Sequence, residues 1–273
     1  MVGALMVLVA CMPGPQRETL VDDLVVLAAV PSSPEVDAGE SFGVDVYLGR
    51  PDATPVDLLV WSCFPASDEA CLEEGAESRF VVVEDAQEVS SVERTVPIEL
   101  AFPLDAGEEL PLFVWSMACE TGLCPLIEEA KTGQVEESIL LNPIPELQEL
   151  PFDGVSLAAQ RVWLSARSAE ERRKNPVVSA SFEVPAGVSA GESVMLSFEV
   201  EDHMEGVEAF GYSLSGGFGE VSARVFEGEV ALEWFAPEEL EGSEPTRVWV
   251  VFQSEEGGAA VWSETWTVAA KNN

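Results

Sequence analysis

Basic side chains are scarce in this chain. Thirteen lysines and arginines stand against fifty aspartates and glutamates, a formal charge of −37, and only three of the thirteen are lysines, Lys131, Lys174 and Lys271. Nucleic-acid binding needs clustered cations that neutralise phosphates and release counterions. An anionic membrane surface attracts the same kind of cluster. The one dense basic run, Arg172-Arg173-Lys174, directly follows Glu170-Glu171, which cancels much of its local field. Nucleic acid is therefore not expected as a partner.

Histidine is scarcer still, with His203 alone. A Ser-His-Asp or Cys-His arrangement would have to use it, yet it lies in the acidic stretch Glu201-Asp202-His203-Met204-Glu205 and reads as a solvated turn residue. Gly211-Tyr212-Ser213-Leu214-Ser215 departs from the G-x-S-x-G nucleophile elbow at its last position. The phosphate-cradling Gly loop ending in Lys, the H-E-x-x-H pair and the EF-hand loop are all missing. Paired carboxylates carry little information among fifty. The sequence thus predicts no catalytic residue, no metal site and no cofactor.

What the chain does have is apolar bulk. Hydrophobic residues make up 47% of its 273 positions, with 13 Phe and 7 Trp as large core anchors, and the length suits two domains of ordinary size. The periodicity is that of short strands between turns. In Ser41 to Leu48, Phe42, Val44, Val46 and Leu48 share one face; in Ser193 to Val200, Val194, Leu196, Phe198 and Val200 do so. Further strands are expected over Val56–Trp61, Arg79–Val83, Thr95–Phe102, Leu110–Trp115, Gly211–Leu214, Gly219–Phe226, Val230–Trp234, Thr246–Gln253 and Val261–Val268. Gly257-Gly258 marks a hairpin between the last two.

The halves also share words. Ala38-Gly39-Glu40-Ser41 opens one alternating strand and Ala190-Gly191-Glu192-Ser193 the other, which suggests a duplicated immunoglobulin-like unit. The expected organisation is all-β: a lipoprotein signal over 1–10, a tether over 11–20, one immunoglobulin-like β-sandwich over 21–167, a linker over 168–176 and a second sandwich over 177–270. Arg161–Ala166 reads as the closing strand of the first domain, followed by a helical turn capped by Ser168 and ending before Pro176. One amphipathic helix from Ser156 to Arg173 is the alternative. Pro125–Lys131 reads as a short helix, and the segment from Leu141 onward as a Pro-punctuated loop. The tryptophans default to core, although Trp262 and Trp266, on one face of the last strand, offer an aromatic platform for sugar.

Five cysteines remain to be placed. The apolar run Val2–Ala10 is too short to span a bilayer as a helix, and it ends in Leu8-Val9-Ala10-Cys11, which resembles the lipobox of bacterial lipoproteins. That resemblance implies cleavage before Cys11 and a diacylglycerol on its thiol. No Lys or Arg precedes the run, a departure from the usual signal. The other four, Cys63, Cys71, Cys119 and Cys124, suit two disulfides in an oxidising compartment. Zinc is the competing reading, since C-x4-C fits it and C-x7-C does not; free buried thiols are the third. Three pairings exist. Local loops Cys63–Cys71 and Cys119–Cys124 compete with a cross-sheet Cys63–Cys119 bond, because Val60-Trp61-Ser62-Cys63 and Val114-Trp115-Ser116 are alike enough for neighbouring strands.

The chain as a whole resembles a family of uncharacterised lipoproteins from myxobacteria and their relatives, with tandem immunoglobulin-like domains. The resemblance lies in the lipobox, the Leu27 to Glu40 opening, the Trp61-Ser62-Cys63 strand and the Glu170 to Pro176 linker. It continues in the closing hairpin, Val248-Trp249-Val250-Val251, Gly257-Gly258 and Trp262, which also looks like polycystic-kidney-disease-type domains. It implies a location and a fold rather than an activity. The function expected is a non-enzymatic protein of the bacterial cell envelope, held to the outer membrane by its lipid and periplasmic or surface-facing, whose partner is an envelope or extracellular protein or a glycan. A calcium- or carbohydrate-binding adhesin is the first rival and an unrecognised hydrolase the second.

Overall fold

The computed structural model describes residues 20–37, 39–52, 54–63, 80–95, 109–132, 154–185, 187–201, 206–240 and 242–270. In the first half the elements are β1 (Val25–Pro31), β2 (Glu35–Val36), β3 (Ser41–Gly49), β4 (Val56–Cys63), β5 (Phe80–Val83), β6 (Val89–Thr95), β7 (Glu109–Glu120), α1 (Pro125–Thr132) and β8 (Val155–Ser165). They form two sheets, β1-β3-β6 and β2-β8-β7-β4-β5. The second half contains β9 (Val178–Ala180), β10 (Val188–Ser189), β11 (Ser193–Val200), β12 (Val207–Ser213), β13 (Gly217–Phe218), β14 (Ser222–Arg224), β15 (Glu229–Phe235), β16 (Glu244–Ser254) and β17 (Ala259–Ala269). Its sheets are β9-β11-β15-β13 and β10-β17-β16-β12-β14.

The two plans are the same. Each half opens on a strand that pairs antiparallel within the smaller sheet, then sends a two-residue strand across to pair parallel with its own last strand: β2 with β8, β10 with β17. The Gly-Glu-Ser parts of the shared words occupy matching turns. Gly39 and Gly191 have φ of 75° and 77°. Glu40 accepts from the Asp37 amide at 2.9 Å and Glu192 from the Ser189 amide at 3.1 Å, each carboxylate three residues on from its donor. Among the described residues the structure is all-β apart from α1, and its two units are tandem immunoglobulin-like sandwiches.

Alternation explains the cores. On β3, Phe42, Val44, Val46 and Leu48 are buried against Leu58, Val60, Val114 and Val162 of the facing sheet. On β11, Leu196, Phe198 and Val200 meet Leu232, Trp234, Val250 and Phe252. Each such side chain contributes roughly 1.5–3 kcal/mol by leaving water. Trp262 and Trp266 do share a face, but it is the inward one. Trp266 is 2% exposed and meets Trp234 edge-on with ring centres 5.0 Å apart; Trp262 lies 5.2 Å from Phe198. They pack the second core and make no sugar platform.

Other expectations shift at their edges. A strand not expected runs Val89–Thr95; the one expected at Thr95–Phe102 lies, beyond Thr95, outside the described residues. Gly219–Phe226 is not one strand. Gly216-Gly217-Phe218-Gly219 lets the chain cross between sheets, so β13 pairs with β15 and β14 with β12. Residues 156–165 are strand, which ends the long-helix alternative, and α1 forms where a short helix was expected. Where a single helical turn was expected at Ser168 there is one hydrogen-bonded turn: the Glu171 amide donates to the Ser168 carbonyl at 2.9 Å and the Ser168 hydroxyl donates to the Glu171 carboxylate at 2.8 Å.

Candidate functional site

Two runs in the sequence are too apolar to alternate: Leu24-Val25-Val26-Leu27-Ala28-Ala29 and Val248-Trp249-Val250-Val251-Phe252. A strand apolar on both faces is one buried on both faces. Leu24, Val26 and Ala29 point into the first sandwich. Val25, Leu27 and Ala28 point the other way, where they meet Tyr212, Trp249 and Val251 of the second sandwich. Leu27 and Ala28 are adjacent yet both face outward, because the β1–β3 register slips between Val26 and Ala28; such a bulge turns consecutive side chains to one side. The two domains therefore share an apolar seam, extended at its margin by Tyr47 and Phe210.

Polar groups close the seam at the linker end. Glu35, on β2, is fully buried. Its carboxylate accepts from the Ser165 hydroxyl, from the Arg173 amide at 3.0 Å and from Arg173 Nη1 at 3.1 Å, while Arg167 Nη1 lies at 3.8 Å. Burial works against ionisation here. The Ser165 hydroxyl, the Arg173 amide and the two guanidinium charges outweigh it and hold the Glu35 carboxyl below the usual carboxylate range. Arg173 also reaches Glu109 at 2.7 Å and comes within 3.8 Å of Glu256 of the second domain. Arg167 pairs with Glu109, and Arg172 with Glu40 at 2.6 Å. Within the basic run, Arg172 and Arg173 thus pair with Glu40, Glu35 and Glu109 of the first domain and Glu256 of the second.

The second domain answers with its β16–β17 hairpin. Gly257 and Gly258 have φ of 92° and 88°, and a Cβ on Gly257 would lie 3.1 Å from the Arg161 carbonyl oxygen. Glycine is needed there for backbone and for space alike. The Trp163 indole N–H donates to the Glu256 carbonyl at 2.5 Å, and its ring lies beneath the Arg173 and Arg161 guanidiniums at 4.8 and 5.4 Å. Asn175 joins the halves through both ends of one amide: Nδ2 donates to the Pro31 carbonyl at 2.5 Å, and Oδ1 accepts from the Ala259 amide at 3.1 Å. Arg247 pairs with Glu88 across the same junction.

Away from the seam, Cys119 and Cys124 are disulfide-bonded, with Cα atoms 6.0 Å apart. The bond ties the end of β7 to the start of α1, whose Ile127 is buried with Leu59, Trp61 and Met117 on the outer face of the larger sheet. The likeness of the two Val-Trp-Ser segments does place them on neighbouring strands, since Trp61 faces Trp115. The cross-sheet Cys63–Cys119 bond is nevertheless not formed: Cys119 stands opposite Asp57 and Cys63 opposite Phe113. Cys11, Cys71 and His203 lie outside the described residues. Among the described residues no group of three or more His, Cys, Asp or Glu could hold a metal ion. No described helix is long and apolar enough to cross a membrane.

This is the organisation of a tandem β-sandwich protein whose built polar site is a domain junction. No family profile matches the chain, and no curated protein does. Among solved structures it is similar to a Corynebacterium diphtheriae protein provisionally described as membrane anchored, at 9% identity and a TM-score of 0.26, over 89% of this chain and 52% of that one. It is also similar to the tandem Ig repeats of Dlar, at 11% identity and a TM-score of 0.23, over 91% and 97%. The chain spans about half the length of the Corynebacterium protein.

Proposed function

We propose that this chain is a non-enzymatic, lipid-anchored protein of the bacterial cell envelope, related to the myxobacterial-type lipoproteins it resembles, in which two docked sandwiches serve as a stiff structural or interaction module. The observation that carries the reading is the pairing of Cys119 with Cys124 in a chain whose Leu8-Val9-Ala10-Cys11 has the form of a lipobox. A disulfide of this kind persists in oxidising compartments, and the lipobox is the signal that delivers a protein there with its Cys acylated. The extended seam supports a scaffold role, because it leaves the two units no free hinge, and the sandwich loops are left to make outside contacts. The partner is an envelope or extracellular protein or a glycan.

The test is palmitate labelling in a bacterial host, with Cys11→Ala beside the wild type. Label in the wild type and none in the variant is the expected result. Equal labelling of both removes the anchor from the reading.

A further inference from the structure

Leu20 and Val21 precede the first sandwich in the chain yet bond to the second. Leu20 forms a parallel bridge with Ser213 at the end of β12, in the second sandwich, and the Val21 amide donates to the Ser213 carbonyl at 2.8 Å. Val21 is 1% exposed within the seam cluster. It fits there because Gly49 has no side chain: a Cβ on Gly49 would lie 3.2 Å from Val21 Cγ1 and 3.3 Å from Leu27 Cδ2. Only after this excursion does the chain enter the first sandwich. Asp23 Oδ2 accepts from the Gly154 amide at 3.1 Å, and the Val26 amide donates to the Ser156 hydroxyl at 2.8 Å. Residues 20–26 therefore stitch both sandwiches together: Leu20 and Val21 bond the second through Ser213, Val25 packs in the seam, and Asp23 and Val26 bond the first.

We propose that Leu20 and Val21 form a tension-sensitive strap: seated, they pin the segment before β1 to the second sandwich, and a pull on the chain before Leu20 unhooks them while the seam and both sandwiches stay in place. The hook is one bridge, one backbone hydrogen bond and one buried valine. Each sandwich is held by whole ladders of strand pairing and a core of its own. Elements with few buried contacts and few hydrogen bonds open first, and the strap is covalently next to the segment that would carry any pull. Its value to the organism rests on the anchoring reading above. Its physics does not.

The experiment holds the chain in a tweezers instrument by handles on residue 11 and on the carboxyl terminus, so it needs no lipid. The wild type should show a small, reversible lengthening at low force before two larger unfolding steps. In a Leu20→Gly, Val21→Gly variant the small step should vanish and the two large steps remain. A wild type lacking the early step, or a double variant that keeps it, overturns the strap. Should the double variant fail to fold, Val21→Ala must still lower the force of the early step; an unchanged force refutes the proposal equally. Failure of palmitate labelling would leave all these readouts where they are.

Discussion

The indole of Trp163, in the last strand of the first sandwich, donates its N–H to the carbonyl of Glu256 in the final hairpin of the second, at 2.5 Å. At the next residue of the hairpin, Gly257, a Cβ would press on the Arg161 carbonyl oxygen at 3.1 Å. The hairpin tip is thus shaped to the neighbouring domain as well as to its own turn.

Replacing Gly257 by valine should expose this. A β-branched residue at φ 92° strains the turn, and its Cβ would push the hairpin off the first domain. A loss of about 1–3 kcal/mol is expected, with the seam affected before either core. Urea unfolding followed by tryptophan fluorescence reads the loss. A variant as stable as the wild type would show that the tip is not tightly docked.

Acid should act through Glu35 and, more weakly, through Glu40. Both carboxyls are held below their ordinary value near 4.5: Glu35 against its burial by Ser165, Arg173 and Arg167, Glu40 by the Asp37 amide and Arg172. A group whose folded pKa is depressed stabilises the fold above its unfolded value, and that stability is lost as pH falls through the lower folded value. The wild type should therefore keep its full seam stability above about pH 5 and lose it below about pH 4. Glu35→Gln should be less stable at neutral pH and show a shallower acid decline. Parallel acid curves for the two proteins would remove Glu35 from the account.

Salt should stabilise rather than weaken the docked pair. Glu35 is buried and Arg173 nearly so, which shields their attraction from ions. The other carboxylates of a chain carrying −37 are mostly solvated, and their repulsion is screened within a Debye length of about 8 Å at physiological ionic strength. Calorimetry between low and molar sodium chloride should find Tm rising. A falling Tm would mean that exposed ion pairs dominate.

Removing the Cys119–Cys124 bond should cost about 2 kcal/mol, the chain-entropy value for so short a loop. The double Cys119→Ala, Cys124→Ala variant tests it by urea denaturation. Local protection should fall over α1 in hydrogen exchange, because the bond leads directly into that helix. Loss of protection spread evenly over both sandwiches would contradict this.

Most of the sandwich architecture was legible from single alternating segments. Phe42 to Leu48 and Val194 to Val200 each declared one buried face, and the repeated Ala-Gly-Glu-Ser words marked matching turns. The seam was legible too, but in another form. Leu24 to Ala29 is continuously apolar, a sign of burial on both sides that an alternation search passes over, and it left β1 unread as a strand. Trp262 and Trp266 were correctly set on one face, while which face looked inward depended on β16 and β11 across the sheet. Glu35 and Glu109 carried no signal among fifty carboxylates. What singles them out is meeting Arg167 and Arg173, which lie far along the chain, and only the fold brings those together.

Asn175 spends both halves of its amide on the two domains, so its conversion to aspartate would replace the donor facing Pro31 with a second acceptor. Asparagine usually ages by attack of the next residue's backbone nitrogen on its side chain, and the next residue is Pro176, which has no N–H to give. The same proline that ends the linker thereby gives this joint chemical longevity.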